Sequence, residues 1–216
     1  MTLFIAIPSK EGVVRTDWAT SFAAQIPPVG RTRHVSILEG FQSVSHVRNV
    51  AIHVALEEGA EYIFFWDDDV IPRSRVAMQT LVATLDQNPN ATAVGGVYPR
   101  RGEIPEPIVS QGPIDGLWWG WEDGLIHKVY MTGTGFTVLR MADLGTLDVP
   151  TEETDDGKQL RQIFGERPHY TDDYWLAALL AKHGRTWLVH GDVVCDQVDI
   201  DGTRYRVEDA KQKVAV

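Results

Sequence analysis

The polar and apolar positions of this chain alternate between short unbroken apolar runs and segments with helical spacing. Residues 3–7, 62–66 and 91–98 are continuous, β-branched or aromatic stretches, the pattern of strands buried on both faces. Residues 33–38 read as a further strand. Between them, residues 17–24 predict a helix that Pro27-Pro28 stops. Ser45 reads as the N-cap of a second helix, with Val47, Val50, Ala51, Val54 and Ala55 on its buried side and Gly59 as its stop. Pro72 reads as the opening of a third, with Met78, Leu81, Val82 and Leu85 on one face, ending near Asn88-Pro89. Strand and helix thus alternate over the first hundred residues, which predicts an α/β fold with a mostly parallel, doubly wound, Rossmann-like sheet.

The second half is less regular. Residues 99–122 read as loop and carry Trp118, Trp119 and Trp121. Residues 129–139 are strand-like but interrupted by Gly133-Thr134-Gly135, and glycine inside a strand marks a bulge or a close approach. A polar stretch, 154–170, reads as a mobile connection. Thr171 or Asp172 then caps a helix carrying Trp175, Leu176, Leu179 and Leu180, closed by Gly184. Residues 186–189 and 192–195 predict a last strand or pair, Asp201-Gly202 a turn, and a polar tail follows from about residue 203.

At 216 residues, 44% hydrophobic and 23% charged, the chain is expected to form a single domain over 1–216. A formal charge of −10 argues against a large nucleic-acid footprint. Arg31, Arg33, His34, Arg100 and Arg101 are the nearest to basic clusters and read as solvated surface. Cys195 stands alone, so no intramolecular disulfide is possible, which together with an N-terminus unlike a signal peptide gives a cytoplasmic expectation. No apolar run approaches the ~20 residues of a membrane span.

Chemistry concentrates at Asp67-Asp68-Asp69, directly after the apolar run 62–66. Three adjacent acids repel one another unless a cation is present. On an extended chain Asp67 and Asp69 point the same way and can share one hard divalent cation such as Mg²⁺ or Mn²⁺. The plainer reading is a solvated turn in which Asp68 or Asp69 caps the next helix. The end of a central strand is where open α/β sheets bind ligands, and that favours the metal site.

Pro8 after the first strand, Arg48-Asn49 at the start of a helix, the run from Phe64 through Asp69 to Pro72, Gly133-Thr134-Gly135 and the segment from Thr171 through Asp172-Asp173 to Trp175 occur in this order. Together they resemble a small GT-A glycosyltransferase of the family 2 type, over roughly residues 3–199. The resemblance implies a nucleoside diphosphate sugar donor (UDP- or GDP-linked), an acceptor of unknown chemistry and a Mn²⁺ or Mg²⁺ cofactor. Asp67 would approach the ribose with Asp68 beside it, and Asp69 would ligate the metal. Arg48, near a helix N-terminus, would favour phosphate, and Pro8 and Ser9 would contact the base. A bound sugar would lie against Gly133 and Gly135. Asp173 would be the general base of an inverting reaction, with Asp172 either sharing the role or capping the helix. The family often completes its metal shell with a histidine where this chain has Gln197; His190 is the alternative third ligand. Trp118, Trp119 and Trp121 would offer a stacking platform for the acceptor or form a hydrophobic plug. With little room for an acceptor domain, a partner or a second subunit is expected to supply part of that site.

Two rival readings remain open on the sequence. In a phosphatase of the haloacid dehalogenase type, Asp67 and Asp69 would be nucleophile and acid, with Gly191-Asp192 to Asp196 and Lys182 completing the site. Against it, Val70-Ile71-Pro72 replaces the expected continuation, and two strands and two helices come first. A non-catalytic sugar-binding module built on the tryptophans leaves the acidic motifs unexplained.

Overall fold

The computed structural model describes residues 1–41, 43–113, 115–154, 157–166 and 171–214. In chain order its elements are β1 (Thr2–Pro8), α1 (Thr16–Ala24), β2 (Thr32–Leu38), α2 (Val44–Glu57), β3 (Tyr62–Trp66), β4 (Val70–Pro72), α3 (Ala77–Gln87), β5 (Ala91–Val97), β6 (Val109–Ser110), β7 (Ile126–Val129), β8 (Met131–Thr132), β9 (Phe136–Arg140), α4 (Met141–Leu144), β10 (Thr151–Glu153), β11 (Gln159–Arg161), α5 (Asp172–Lys182), β12 (Thr186–Val198), β13 (Arg204–Tyr205) and α6 (Val207–Val214).

The apolar runs occupy the centre of the main sheet, whose order is β13-β12-β5-β9-β3-β1-β2. β2, β1 and β3 are mutually parallel, and β5 is parallel to β12. β9 runs antiparallel between β3 and β5, so the sheet is mixed but mostly parallel. Side-chain alternation divides each buried strand between two core layers. Phe4, Ala6, Ile63 and Phe65 meet Ala51, Ile52 and Ala55 of α2 and Leu176 and Leu180 of α5 on one face. Leu3, Ile5, Tyr62, Phe64 and Trp66 meet Trp18 of α1 and the Met78–Leu81–Val82–Leu85 stripe of α3 on the other. Each such side chain, buried rather than left in water, contributes about 1.5–3 kcal/mol. Helices on both faces explain why these strands read as unbroken apolar runs.

Several boundaries differ from the sequence reading. Ser43, not Ser45, caps α2, its hydroxyl accepting from His46 N at 3.4 Å. Ser45 instead donates to Glu166 at 3.0 Å. Pro72 closes β4 rather than opening a helix: β4 pairs antiparallel with β12, and Arg73 N continues the bonding to Val194 O. Part of the expected mobile stretch is a β10–β11 hairpin; its residues 155, 156 and 167–170 lie outside the described residues. Of the last strand or pair expected, the structure has one strand, β12, with a register break between Val189 and Val194. Beyond residue 203 the chain packs back. Arg204 donates to Asp196 and Asp17 at 3.0 and 3.1 Å, and Val207 and Ala210 are buried. Among the described residues no helix is long and apolar enough to cross a membrane.

Candidate functional site

The C-terminal ends of β1 and β3 open into a cleft of about 670 Å³ lined by Pro8, Phe41, Asp67, Asp68, Asp69 and Arg101, among others. A second recess of about 460 Å³ adjoins it, lined by Arg48, Tyr98, Asp172, Asp173 and Gln197; Val44 and Asp67 face both. The fold therefore gathers most of the residues the sequence singled out, from five separate stretches of chain.

Arg48 sits at the hub. Its side chain, only 3% exposed, lies between the rings of Phe65 and Phe164, each centroid 5.6 Å from the guanidinium carbon. Asn49 fixes Phe164 by exchanging two hydrogen bonds with its backbone, at 2.8 and 2.9 Å. One guanidinium nitrogen donates to both oxygens of Asp67 at 2.9 Å; the other donates to Asp172 and Thr134 and lies 3.8 Å from Asp173. Burial opposes the guanidinium charge, but Asp67, Asp172 and Asp173 outweigh it and keep Arg48 protonated. Arg48, which the resemblance directs to a donor phosphate, is here charge-matched by carboxylates, while its Nε is buried without a partner among the described residues.

Asp173 accepts from Thr134 N at 2.8 Å and from Thr134 Oγ1 at 2.5 Å. Burial first, then repulsion from Asp172, pushes its pKa up to about 7, against the opposing pull of Arg48 and Thr134. Burial also raises Asp172, with Arg48 opposing. Thr171 holds the N-cap position of α5 without a side-chain bond, and Asp172 turns to Arg48 instead of capping. Gly133 and Gly135 leave room for Tyr98 and Asp67: a methyl at Gly135 would stand 2.6 Å from Asp67 Oδ2, and one at Gly133 would overlap the Tyr98 ring. Buried Tyr98 accepts Gly135 N–H at 2.8 Å. Among the described residues it is Tyr98 and Asp67 that approach these glycines most closely.

The three aspartates diverge. The chain turns after β3, with Val70 N donating to Asp67 O at 3.2 Å, so the extended alternation that would aim Asp67 and Asp69 together ends at Trp66. Asp67 faces Arg48. Asp69 Oδ2 accepts from Arg101 and, at 3.1 Å, from Gln197 Nε2. Burial, then the charge of Asp67, lifts the Asp69 pKa to about 6. Asp68 is also raised, chiefly by burial, with a hydrogen bond from Ser9 opposing. Asp69 Oδ1 and Gln197 Oε1 are buried and have no partner among the described residues. No trio of His, Cys, Asp or Glu among the described residues is placed to hold a metal. One carboxylate and one amide oxygen, both unsatisfied, nevertheless fit a hard cation that draws its other ligands from substrate and water.

His190 is not brought to this site. It stands on β12 opposite Ile126, with its Nδ1 accepting from Asp192 N at 3.3 Å. The tryptophans pack mainly inward. Trp121 is buried, Trp119 tilts against it at 6.4 Å, and Trp118 meets His127 edge-on at 4.9 Å. For the phosphatase reading, Asp67 is engaged by Arg48, and Asp196 is bonded to Arg73 and Arg204. Tyr98, Thr134 and Arg101 were not singled out for the site by sequence; only the tight Gly-Thr-Gly spacing hinted that side chains approach the backbone there.

No family model matches the sequence, and no curated protein matches it significantly. Solved structures do resemble it. A197 from STIV superposes with a TM-score of 0.63 at 17% identity, covering 95% of this chain and 94% of that one. S. aureus TarS residues 1–349, in complex with UDP, superposes at 0.53 and 13% identity over 90% of this chain and 59% of TarS. GalNAc-T7, solved with UDP, GalNAc and Mn²⁺, superposes at 0.59 and 10% identity over 100% of this chain and 48% of that one. The chain thus spans about half the length of the latter two. The fold it shares with all three is a single α/β domain built on a mostly parallel, mixed central sheet.

Proposed function

We propose that this protein transfers a glycosyl group from a nucleoside diphosphate sugar to an acceptor hydroxyl. The observation that carries the reading is the pair of buried, unsatisfied oxygens, Asp69 Oδ1 and Gln197 Oε1, at the junction of the two recesses. Buried acceptors without donors are rare and costly, and a ligand that satisfies them accounts for their presence. The ligands solved in TarS and GalNAc-T7 support the same direction. Asp69 and Gln197 would hold Mn²⁺ or Mg²⁺, which neutralises charge developing on a departing diphosphate.

The chain's own residues supply the rest. Pro8 and Ser9 border the place for the base. Arg48 aligns Asp67, Asp172 and Asp173 and balances their charge. As the acceptor oxygen bonds to the anomeric carbon, Asp173 takes its proton. The bond to the diphosphate breaks with its electron pair leaving on the diphosphate, which inverts the anomeric centre. A base whose pKa stands near 7 is matched to this work.

The test is a thermal-shift series with UDP and GDP, each with Mn²⁺ and with chelator. At a hundred times its dissociation constant a nucleotide should add about 2.7 kcal/mol, and only with the metal present. A shift with vanadate and none with any nucleotide overturns the proposal in favour of a phosphatase.

A further inference from the structure

Strand β2 is the open edge of the main sheet, pairing among the described residues with β1 alone. Thr32 N donates to Met1 O and Leu38 O accepts from Ser9 N, so the even-numbered backbone groups of β2 face β1. By strand alternation the N–H and C=O groups of Arg33, Val35 and Ile37 face outward. Their side chains share one face of the sheet. That face is covered over β1 and β3 but bare over β2, where Val35 is 42% and Ile37 56% exposed. Arg33, exposed, stands at one end of this row; Glu39, also exposed, follows directly on the end of β2 with its side chain beside Gly12.

The row is complementary to its own reverse: a base, two β-branched residues, an acid. We infer that β2 pairs antiparallel with β2 of a second copy of this chain, about a two-fold axis at Ser36. In that register Val35 faces Ile37 of the other copy and Arg33 faces Glu39, each twice. The outward-facing groups fall on the hydrogen-bonded positions of the antiparallel ladder. The open edge is thereby closed, an apolar cluster forms across the axis, and two opposite-charge pairs flank it. An antiparallel copy satisfies the edge hydrogen bonds and itself supplies the acid opposite Arg33 and the base opposite Glu39. The two sheets become one continuous sheet, and neither cleft is occupied, so the pairing is independent of the transferase reading.

Sedimentation velocity of the full chain over a range of concentrations, at low and high salt, tests this. A dimer is expected, and a monomer at every concentration overturns the inference. Ile37→Lys should give a folded monomer whose melting temperature, unlike that of the wild type, does not depend on concentration. Val35→Pro is the second variant: it removes an outward N–H without touching the bonds to β1, and it too should be monomeric. If both variants remain dimeric, another surface is responsible and the inference fails. Arg33→Glu and Glu39→Arg should each weaken association about tenfold, with two symmetry-related pairs lost. The double reversal should restore it, and failure to restore refutes the Ser36 register.

Discussion

Replacing Asp173 with asparagine should make the protein more stable at alkaline pH while nearly abolishing the transferase activity proposed above. In the folded chain the Asp173 pKa stands at about 7, raised from 3.8 by burial and by Asp172. A carboxylate with a raised folded pKa stabilises the fold fully below its unfolded pKa, and that contribution drains away as pH rises through the folded value. The window here is pH 3.8 to about 7. A displacement of about three units is worth of order 4 kcal/mol. This is a ceiling, because Asp173 titrates together with Asp172 beside Arg48. Asparagine carries no ionisation cost, and its carbonyl can accept the same two bonds from Thr134. Urea denaturation at pH 5 and pH 8.5 should therefore find a smaller difference at the lower pH, where only about a third of the contribution has drained away. At the higher one Asp173→Asn should be more stable by about 1–4 kcal/mol. With donor and acceptor supplied, kcat should fall by roughly 10²–10⁴ in the variant, while in the wild type it should rise with pH through about 7. An equal loss of stability in the variant at both pH values would show that Asp173 ionises without strain and refute the electrostatic argument. Wild-type turnover by the variant would remove Asp173 from the base role.

Three further outcomes follow from the same geometry. Asp69 must lose its proton to bind a cation, and its pKa stands at about 6. Mn²⁺ affinity measured by calorimetry should hold above that pH and fall roughly tenfold per unit below it; Asp69→Asn should lose binding at every pH. Arg48→Met leaves Asp67 and Asp172 without their buried counter-charge and should cost about 3–5 kcal/mol in chemical denaturation. A loss below one kcal/mol would mean the carboxylates are solvated well enough to need no partner. Gly135→Ala puts a methyl 2.6 Å from Asp67 Oδ2. It should lower stability by about 1–3 kcal/mol, read as a drop in melting temperature, because Asp67 cannot retreat without losing Arg48.

Much of the fold was legible because burial wrote itself into the order of residues. Strands covered on both faces must be apolar throughout, and residues 62–66 could hardly be anything else. The third helix announced its apolar stripe correctly but not its start. Proline is common in a first helical turn, and only the pairing of Val70–Pro72 with Cys195–Gln197 shows that Pro72 belongs to a strand. That pairing spans more than a hundred residues and leaves no local trace. The tail after residue 203 is polar as read, and its arginines and acids also bond to Asp17, Arg73 and Asp196, which composition alone does not reveal.

The site was legible as a collection and not as an arrangement. The acidic motifs at 67–69 and 172–173 were visible, yet three carboxylates gathered in one recess require a counter-charge, and sequence alone does not say which of twenty Lys and Arg supplies it. Arg48 does, and this changes the roles around it. Asp67 is held on both oxygens by Arg48. The turn at Asp67–Val70 then aims Asp69 toward Gln197. A histidine at 197 would offer one soft nitrogen, neutral only above its own pKa. Glutamine offers a neutral oxygen at every pH together with an N–H that orients Asp69. The departure from the family pattern at Gln197 is therefore compatible with a hard cation such as Mg²⁺ or Mn²⁺, and argues against metals that prefer imidazole.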